Sequence, residues 1–260
     1  MVAILVVHQM GMPCDLPAIV KMAWHYGLPV VEDAACAIGS EITFDHGKTW
    51  ERVGNPHGDF ACFSFHPRKL LTTGEGGMIT TRRADYDKHL RLLRHQGMDI
   101  SDIKRHRSKK IIHEKYPEIG YNCRLTDIQA AIGIEQLKKI PVVVKKRRAL
   151  SRTYRRELSK IPWLKVTREL EYARTNWQSF SVRLAAGAPV TRDRLMQYFL
   201  NHGVFTRPGI MNVHQEKPYK TYRFPPKNSE AAPKTVLLLP LFHAMTLREI
   251  NKVIKLIQKI

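Results

Sequence analysis

The chain has 260 residues, more than one small core needs and enough for one large domain or two modest ones. Hydrophobic residues at 43% and charged residues at 25% are ordinary globular values and exclude wholesale disorder. The longest apolar run, Val2–Val7, is too short for a membrane span or a signal peptide, so neither is expected. Cys14, Cys36, Cys62 and Cys123 lie far apart with no C-x-x-C pair. They form no common zinc pattern or disulfide framework, and a reducing cytoplasm is the simplest compartment. Charge is the unusual quantity: 43 Lys and Arg against 23 Asp and Glu give +20. Such a surface favours anionic partners, whether nucleic acid, an acidic membrane or a small phosphorylated ligand. The excess is concentrated in Lys104–Lys115 and Lys138–Lys160, where Glu114 and Glu157 are the only acids.

In chain order, the unbroken aliphatic run Val2–Val7 predicts a buried strand of a parallel sheet. Asp15 then offers an N-cap for a helix carrying Ile19, Val20, Ala23 and Trp24 on one stripe, with Gly27 as its stop. Short apolar strands follow at Pro29–Glu32, Phe60–Phe65 and Gly77–Thr81, an order that indicates an α/β layer. Asp85–His95 reads as a helix closed by Gly97, and the stretch from Asp99 to Pro117 as a basic loop. Thr126 and Gln129 form a capping box opening a helix to about Lys139, which Pro141 is expected to interrupt. Leu150, Tyr154 and Leu158 mark the buried side of a second, basic helix. Trp177–Leu184 alternates like a strand, and Thr191–His202 is an amphipathic helix carrying Leu195, Met196, Phe199 and Leu200 and stopped by Gly203. Val236–Leu239 is a further strand, and a helix capped by Thr246 and Glu249 turns Ile250, Val253, Ile254 and Ile257 inward. The expected division is 1–144, with a mostly parallel sheet, and 145–260, a linking helix with a smaller α+β unit.

Three segments carry possible chemistry. Val30-Val31-Glu32-Asp33-Ala34-Ala35 places an acid at the C-terminal end of a buried strand, the edge where ligands bind in α/β sheets. Alone, Asp33 reads first as a cap for the next turn. Gly58-Asp59-Phe60-Ala61-Cys62-Phe63-Ser64-Phe65-His66-Pro67-Arg68-Lys69 delivers Ser64, His66 and Lys69 to a loop. There Lys69 is either an imine-forming nucleophile or an ordinary solvated lysine. Thr72-Thr73-Gly74-Glu75-Gly76-Gly77 is a glycine-rich turn without the strand-then-helix context of a dinucleotide fingerprint, and no P-loop motif exists.

In this order, E-D-A-A, G-D-x-x-x-F-S-F-x-x-x-K and G-E-G-G resemble the DegT/StrS-type sugar-nucleotide aminotransferases, pyridoxal-phosphate enzymes of fold type I. The likeness continues through Leu93-Arg94-His95-Gln96-Gly97, the stretch from Gly120 to Ala131, Asn176-Trp177-Gln178-Ser179 and Leu238-Leu239-Pro240-Leu241. It implies that Lys69 carries pyridoxal 5'-phosphate as a Schiff base and then acts as the general base. By the same resemblance Asp33 pairs with the pyridinium nitrogen, and Ser64 hydrogen-bonds the phosphate. Asn122 would reach the phosphate of a second subunit, so a homodimer is implied. The implied donor is an amino acid, glutamate first, and the acceptor a nucleotide-linked keto-sugar in polysaccharide or amino-sugar biosynthesis. Lysine rather than histidine at position 69 favours transamination over the dehydratase members. Cys36 stands where many members carry a ring-contacting Gln, and His66 occupies a variable position with a possible ring contact. Arg207, His214 and Tyr219 are candidate substrate residues.

Against the family pattern, the long segment ahead of the first strand is missing, with its phosphate-binding turn and ring-stacking aromatic. The large domain is therefore expected to be incomplete, with two open sheet edges, and weak or absent cofactor binding by this chain alone. A non-catalytic member of the same fold is the alternative. A nucleic-acid-binding protein is the third reading, disfavoured because the basic runs lack interleaved aromatics.

Overall fold

The computed structural model describes residues 1–100, 105, 107–219 and 227–260. The chain opens with strand β1 (Ile4–Val7), followed by helix α1 (Leu16–His25) and strand β2 (Val30–Asp33). The Asp15 carboxylate accepts the Ala18 N–H at 3.2 Å, and Gly27 ends the helical turn with φ +60°. Two short strands, β3 (Glu41–Ile42) and β4 (Glu51–Arg52), precede β5 (Phe60–Ser64) and β6 (Gly77–Thr80). Helices α2 (Ala84–Leu93) and α3 (Asp127–Leu158) complete the first half.

The second half runs β7 (Leu164–Val166), β8 (Ala173–Arg174), β9 (Phe180–Leu184), α4 (Arg192–Asn201) and β10 (Arg207–Pro208). It ends with α5 (Lys227–Thr235), β11 (Val236–Leu239) and α6 (Leu247–Gln258). One sheet has the order β1-β2-β5-β6, parallel through its first two pairings and antiparallel in the last. A second, fully antiparallel sheet has the order β10-β11-β9-β7. The small β4-β3-β8 sheet stitches the halves together, because β8 comes from the second.

The largest core lies in the second half, where Leu150, Tyr154 and Leu158 of α3 meet Phe180, Leu195, Phe199, Leu237 and the inner face of α6. Thr246 and Glu249 form the expected capping box of α6. Smaller clusters serve the first half: Val6, Leu16, Ala23, Val30 and Ile42 bury α1 against the sheet, and Phe65 and Leu71 meet Ile140 and Val144 of α3.

Several expectations are corrected. Pro141 does not interrupt the chain of turns, because α3 is one helix of 32 residues. Proline removes one N–H, but the freed carbonyl belongs to the exposed Leu137, and Ile140 and Val144 anchor the helix on both sides. The first strand is not buried on both faces: Leu5 is 68% exposed, because β1 is an edge strand carrying α1 on one side. Trp24 is off the buried stripe at 84% exposure, and Leu200 is exposed as well. Regular β9 begins only at Phe180, since Trp177 has φ +55° and cannot continue a strand. Part of the expected basic loop lies outside the described residues, and 108–121 contains no helix or strand.

Candidate active site

The acid motif at the end of β2 divides its labour between buried and open positions. Glu32 is 1% exposed and takes the Nε2–H of the fully buried His8 at 3.1 Å and the Gly58 N–H at 2.9 Å. His8 Nδ1 accepts the Cys14 N–H at 3.2 Å, which leaves Nε2 as the donor toward Glu32. The Gly58-Asp59 pair is structural too. Asp59 accepts the Val30 N–H at 2.9 Å, and a Cβ on Gly58 would sit 2.7 Å from the Val30 carbonyl. These bonds hold β2 and β5 in parallel register, with Asp33 opposite Cys62.

Asp33 itself stands at the C-terminal end of β2, half-buried, with one carboxylate oxygen accepting the Ala35 N–H at 3.0 Å. Burial, and then the charges of Asp33 and Glu32, push the Cys62 thiol above its ordinary range, so the Asp33 carboxylate bears on the same sheet end. Ser64 closes β5 two residues beyond Cys62, on the same face, and its hydroxyl accepts the His66 N–H at 3.3 Å. His66 shapes the following turn: its Nδ1 accepts the Arg68 N–H at 3.2 Å, and Nε2 lies 4.0 Å from Glu75.

The turn returns Lys69 to the Asp33 loop, where its amine donates to the Cys36 sulfur at 3.1 Å. Cys36, a weak acceptor by type, is thus the partner of the lysine. Among the described residues, no ion pair joins Lys69 to Asp33 or to any other carboxylate, and its bond goes to Cys36 of the loop that follows Asp33. The glycine-rich turn serves the strand rather than a ligand. The Gly76 carbonyl accepts the Phe65 N–H at 2.8 Å, and a Cβ on Gly77 would lie 2.7 Å from the Phe63 carbonyl.

Asn122 is exposed, bridged to His95 and held by backbone bonds from Tyr121 and Cys123 to the carbonyls of Leu93 and Arg94. Its side chain makes no bond within the chain among the described residues. Arg207 lines a cleft of about 280 Å³ with Arg68, Gln178, Thr206 and Leu239, beside the Lys69 turn. His214 instead lies 3.4 Å from Glu230, and Tyr219 sits in a neighbouring short helix. Neither contacts Lys69, Asp33 or Cys36 among the described residues. Arg68 and Gln178 were not singled out from the sequence as site residues; Arg68 adjoins the lysine in the chain, and only the tertiary fold brings Gln178 to it.

A mostly parallel sheet that carries Asp33 and Ser64 at the ends of neighbouring strands, with a smaller α+β unit alongside, has the α/β architecture of the aminotransferases. The sequence profile of the DegT/DnrJ/EryC1/StrS aminotransferase family matches residues 2–258, and the chain belongs to that family. It is 34% identical to the GDP-perosamine synthase of Caulobacter vibrioides over 99% of its own length and 66% of that protein's. The aminotransferase TlmJ of Streptoalloteichus hindustanus superposes with a TM-score of 0.85 at 27% identity, over 99% of this chain and 65% of the other. DesV of S. venezuelae, solved in complex with a ketimine intermediate, gives 0.83 at 28%, over 99% and 64%. The chain therefore spans 66% of the length of the curated relatives it matches.

Proposed function

We propose that the chain is the lysine-bearing part of a pyridoxal-phosphate-dependent aminotransferase that moves an amino group from glutamate to a keto-sugar linked to a nucleoside diphosphate. The observation that carries this reading is the Lys69 amine, without a carboxylate partner among the described residues, bonded to Cys36 in the loop that follows Asp33. The donor set fits the cofactor: an amine for its aldehyde, a carboxylate for its ring nitrogen and a hydroxyl for its phosphate. Bound, pyridoxal phosphate supplies an electron sink for negative charge developing at the substrate carbon.

The residues of this chain do the rest. Lys69 would hold the cofactor through its aldehyde, and its amine is the group that would take and return a proton at the reacting carbon. Asp33 would keep a proton on the ring nitrogen through charge, and Ser64 would donate its hydroxyl hydrogen to the phosphate. The Cys36 sulfur gives the freed amine a resting place. Arg207 and the neighbouring Arg68 line the cleft that would take an anionic substrate group, phosphate or carboxylate. GDP-perosamine synthase makes a nucleotide-linked sugar, and this supports the acceptor class. Asn122 serves a second copy of the chain, a reading supported by its exposed side chain and by exposed Ile119, Tyr121 and Ile128 nearby in sequence. The division at 144/145 remains our proposed domain boundary.

The test is amino transfer from glutamate to a nucleoside-diphosphate keto-sugar at excess pyridoxal phosphate, which offsets the weak binding expected of this chain alone, followed as 2-oxoglutarate formed. Turnover that disappears in Lys69→Ala and falls at least about a hundredfold in Asp33→Asn is expected. Turnover that survives Lys69→Ala would overturn the reading.

A further inference from the structure

We infer that Gln178 is a positioning residue for Lys69, and that the segment Asn176-Trp177-Gln178 fixes both walls of the lysine–cysteine contact. The inference rests on the cofactor reading of Lys69, and deepens it. The Gln178 side-chain amide brackets Lys69 along the chain. Its Nε2 donates to the Arg68 carbonyl at 2.7 Å, and its Oε1 accepts the Leu70 N–H at 3.1 Å. Two bonds, one on each side, pin the backbone of the residue between them. Asn176 does the same for the opposing loop: its Nδ2 donates at 2.9 Å to both the Cys36 and Ile38 carbonyls. The two amides are themselves joined, because the Gln178 N–H donates to Asn176 Oδ1 at 2.7 Å. A single stretch of the second half therefore holds the Nζ and Sγ carriers in place across 3.1 Å.

The segment is built to resist movement. Trp177, 2% exposed, has φ +55°, a left-handed conformation that a bulky residue keeps only where its surroundings over-determine it. Here Thr175 Oγ1 accepts its N–H at 3.0 Å, and Arg147 of α3 donates to its carbonyl and to that of Gln178 at 2.8 Å each. Arg147 is buried and faces carbonyls rather than a carboxylate, so its charge is committed to this segment.

Gln178 is the residue to change, since it is only part-buried whereas Asn176 is fully buried and doubles as structure. In the full chain, Gln178→Ala should speed hydrogen exchange at the Leu70 amide by about tenfold, the loss of one hydrogen bond. The urea midpoint should fall by no more than the equivalent of that tenfold, with an unchanged denaturant slope that shows the fold is retained. Labelling of Lys69 by excess pyridoxal phosphate and borohydride should slow by at least about tenfold, with a displaced pH profile. Gln178→Glu keeps the acceptor for Leu70 but loses the donor to Arg68, and should restore the Leu70 protection without the labelling rate. Wild-type labelling rate and pH profile in Gln178→Ala would overturn the inference. Wild-type protein that leaves Lys69 unlabelled, while Leu70 protection still depends on Gln178, would instead overturn the cofactor reading and with it the purpose given to the clamp.

Discussion

The chemistry of this chain turns on neighbouring acids with opposite fates. Glu32 is sealed in with His8 and Gly58, while Asp33, the next residue, faces the open end of the sheet. Strand alternation forces that split. Glu32→Ala would strand a buried imidazole N–H and a backbone N–H, and should cost about 3 kcal/mol, read as a lowered urea midpoint. A loss within error of zero would mean the pair is replaceable packing. Cys14 sets an alkaline limit. Burial, then the charge of Glu32, raises its thiol from 9.0 to about 11, so the unfolded chain ionises first. Its contribution to stability is full below pH 9.0 and is lost as pH rises toward about 11. Cys14→Ala should flatten the decline in denaturation midpoint across that window, and an unchanged slope would contradict this. At this scale the placement of Asp33 and Ser64 at the ends of β2 and β5 was legible, because each ends a short apolar run. The Cys36 contact was not, since a bond between residues 33 apart depends on loop shapes that no local pattern encodes.

Helix caps could be read directly: Thr126 with Gln129 and Thr246 with Glu249 form capping boxes as spaced. The strands of two or three residues, β3, β4, β7, β8 and β10, went unread because they are shorter than any detectable alternation. Pro141 was misread because local propensity yielded to packing on both sides of it. Pro141→Ala restores the missing N–H and should stabilise α3 by up to about 3 kcal/mol, seen as a higher melting temperature. A lower one would show that the ring's packing beside Gly39 and Val144 outweighs the lost bond. The basic run on this helix is only partly a solvated face. Arg147 and Arg148 are spent on carbonyls of the 174–178 segment, and Arg148 also pairs with Glu41 at 2.8 Å.

For the whole molecule, the ordered motifs made the family legible, since their sequence covers nearly the same residues as the family match, 2–258. No helix among the described residues is long and apolar enough to cross a membrane. Both β1 and β6 lie at open edges of the first sheet, and Ile119, Tyr121 and Ile128 are exposed near Asn122. A protein built this way is expected to sediment as a dimer, and Ile128→Lys should shift it toward the monomer. A monomer at all concentrations would remove the role proposed for Asn122. The most direct test of the central claim is a peptide map of the intact chain after excess pyridoxal phosphate and borohydride, which trap covalently even the weak binding expected of this chain alone. One dominant label on Lys69, absent in Lys69→Ala, is the predicted result; a label scattered over the many surface lysines, with Lys69 no more modified than the rest, would contradict it.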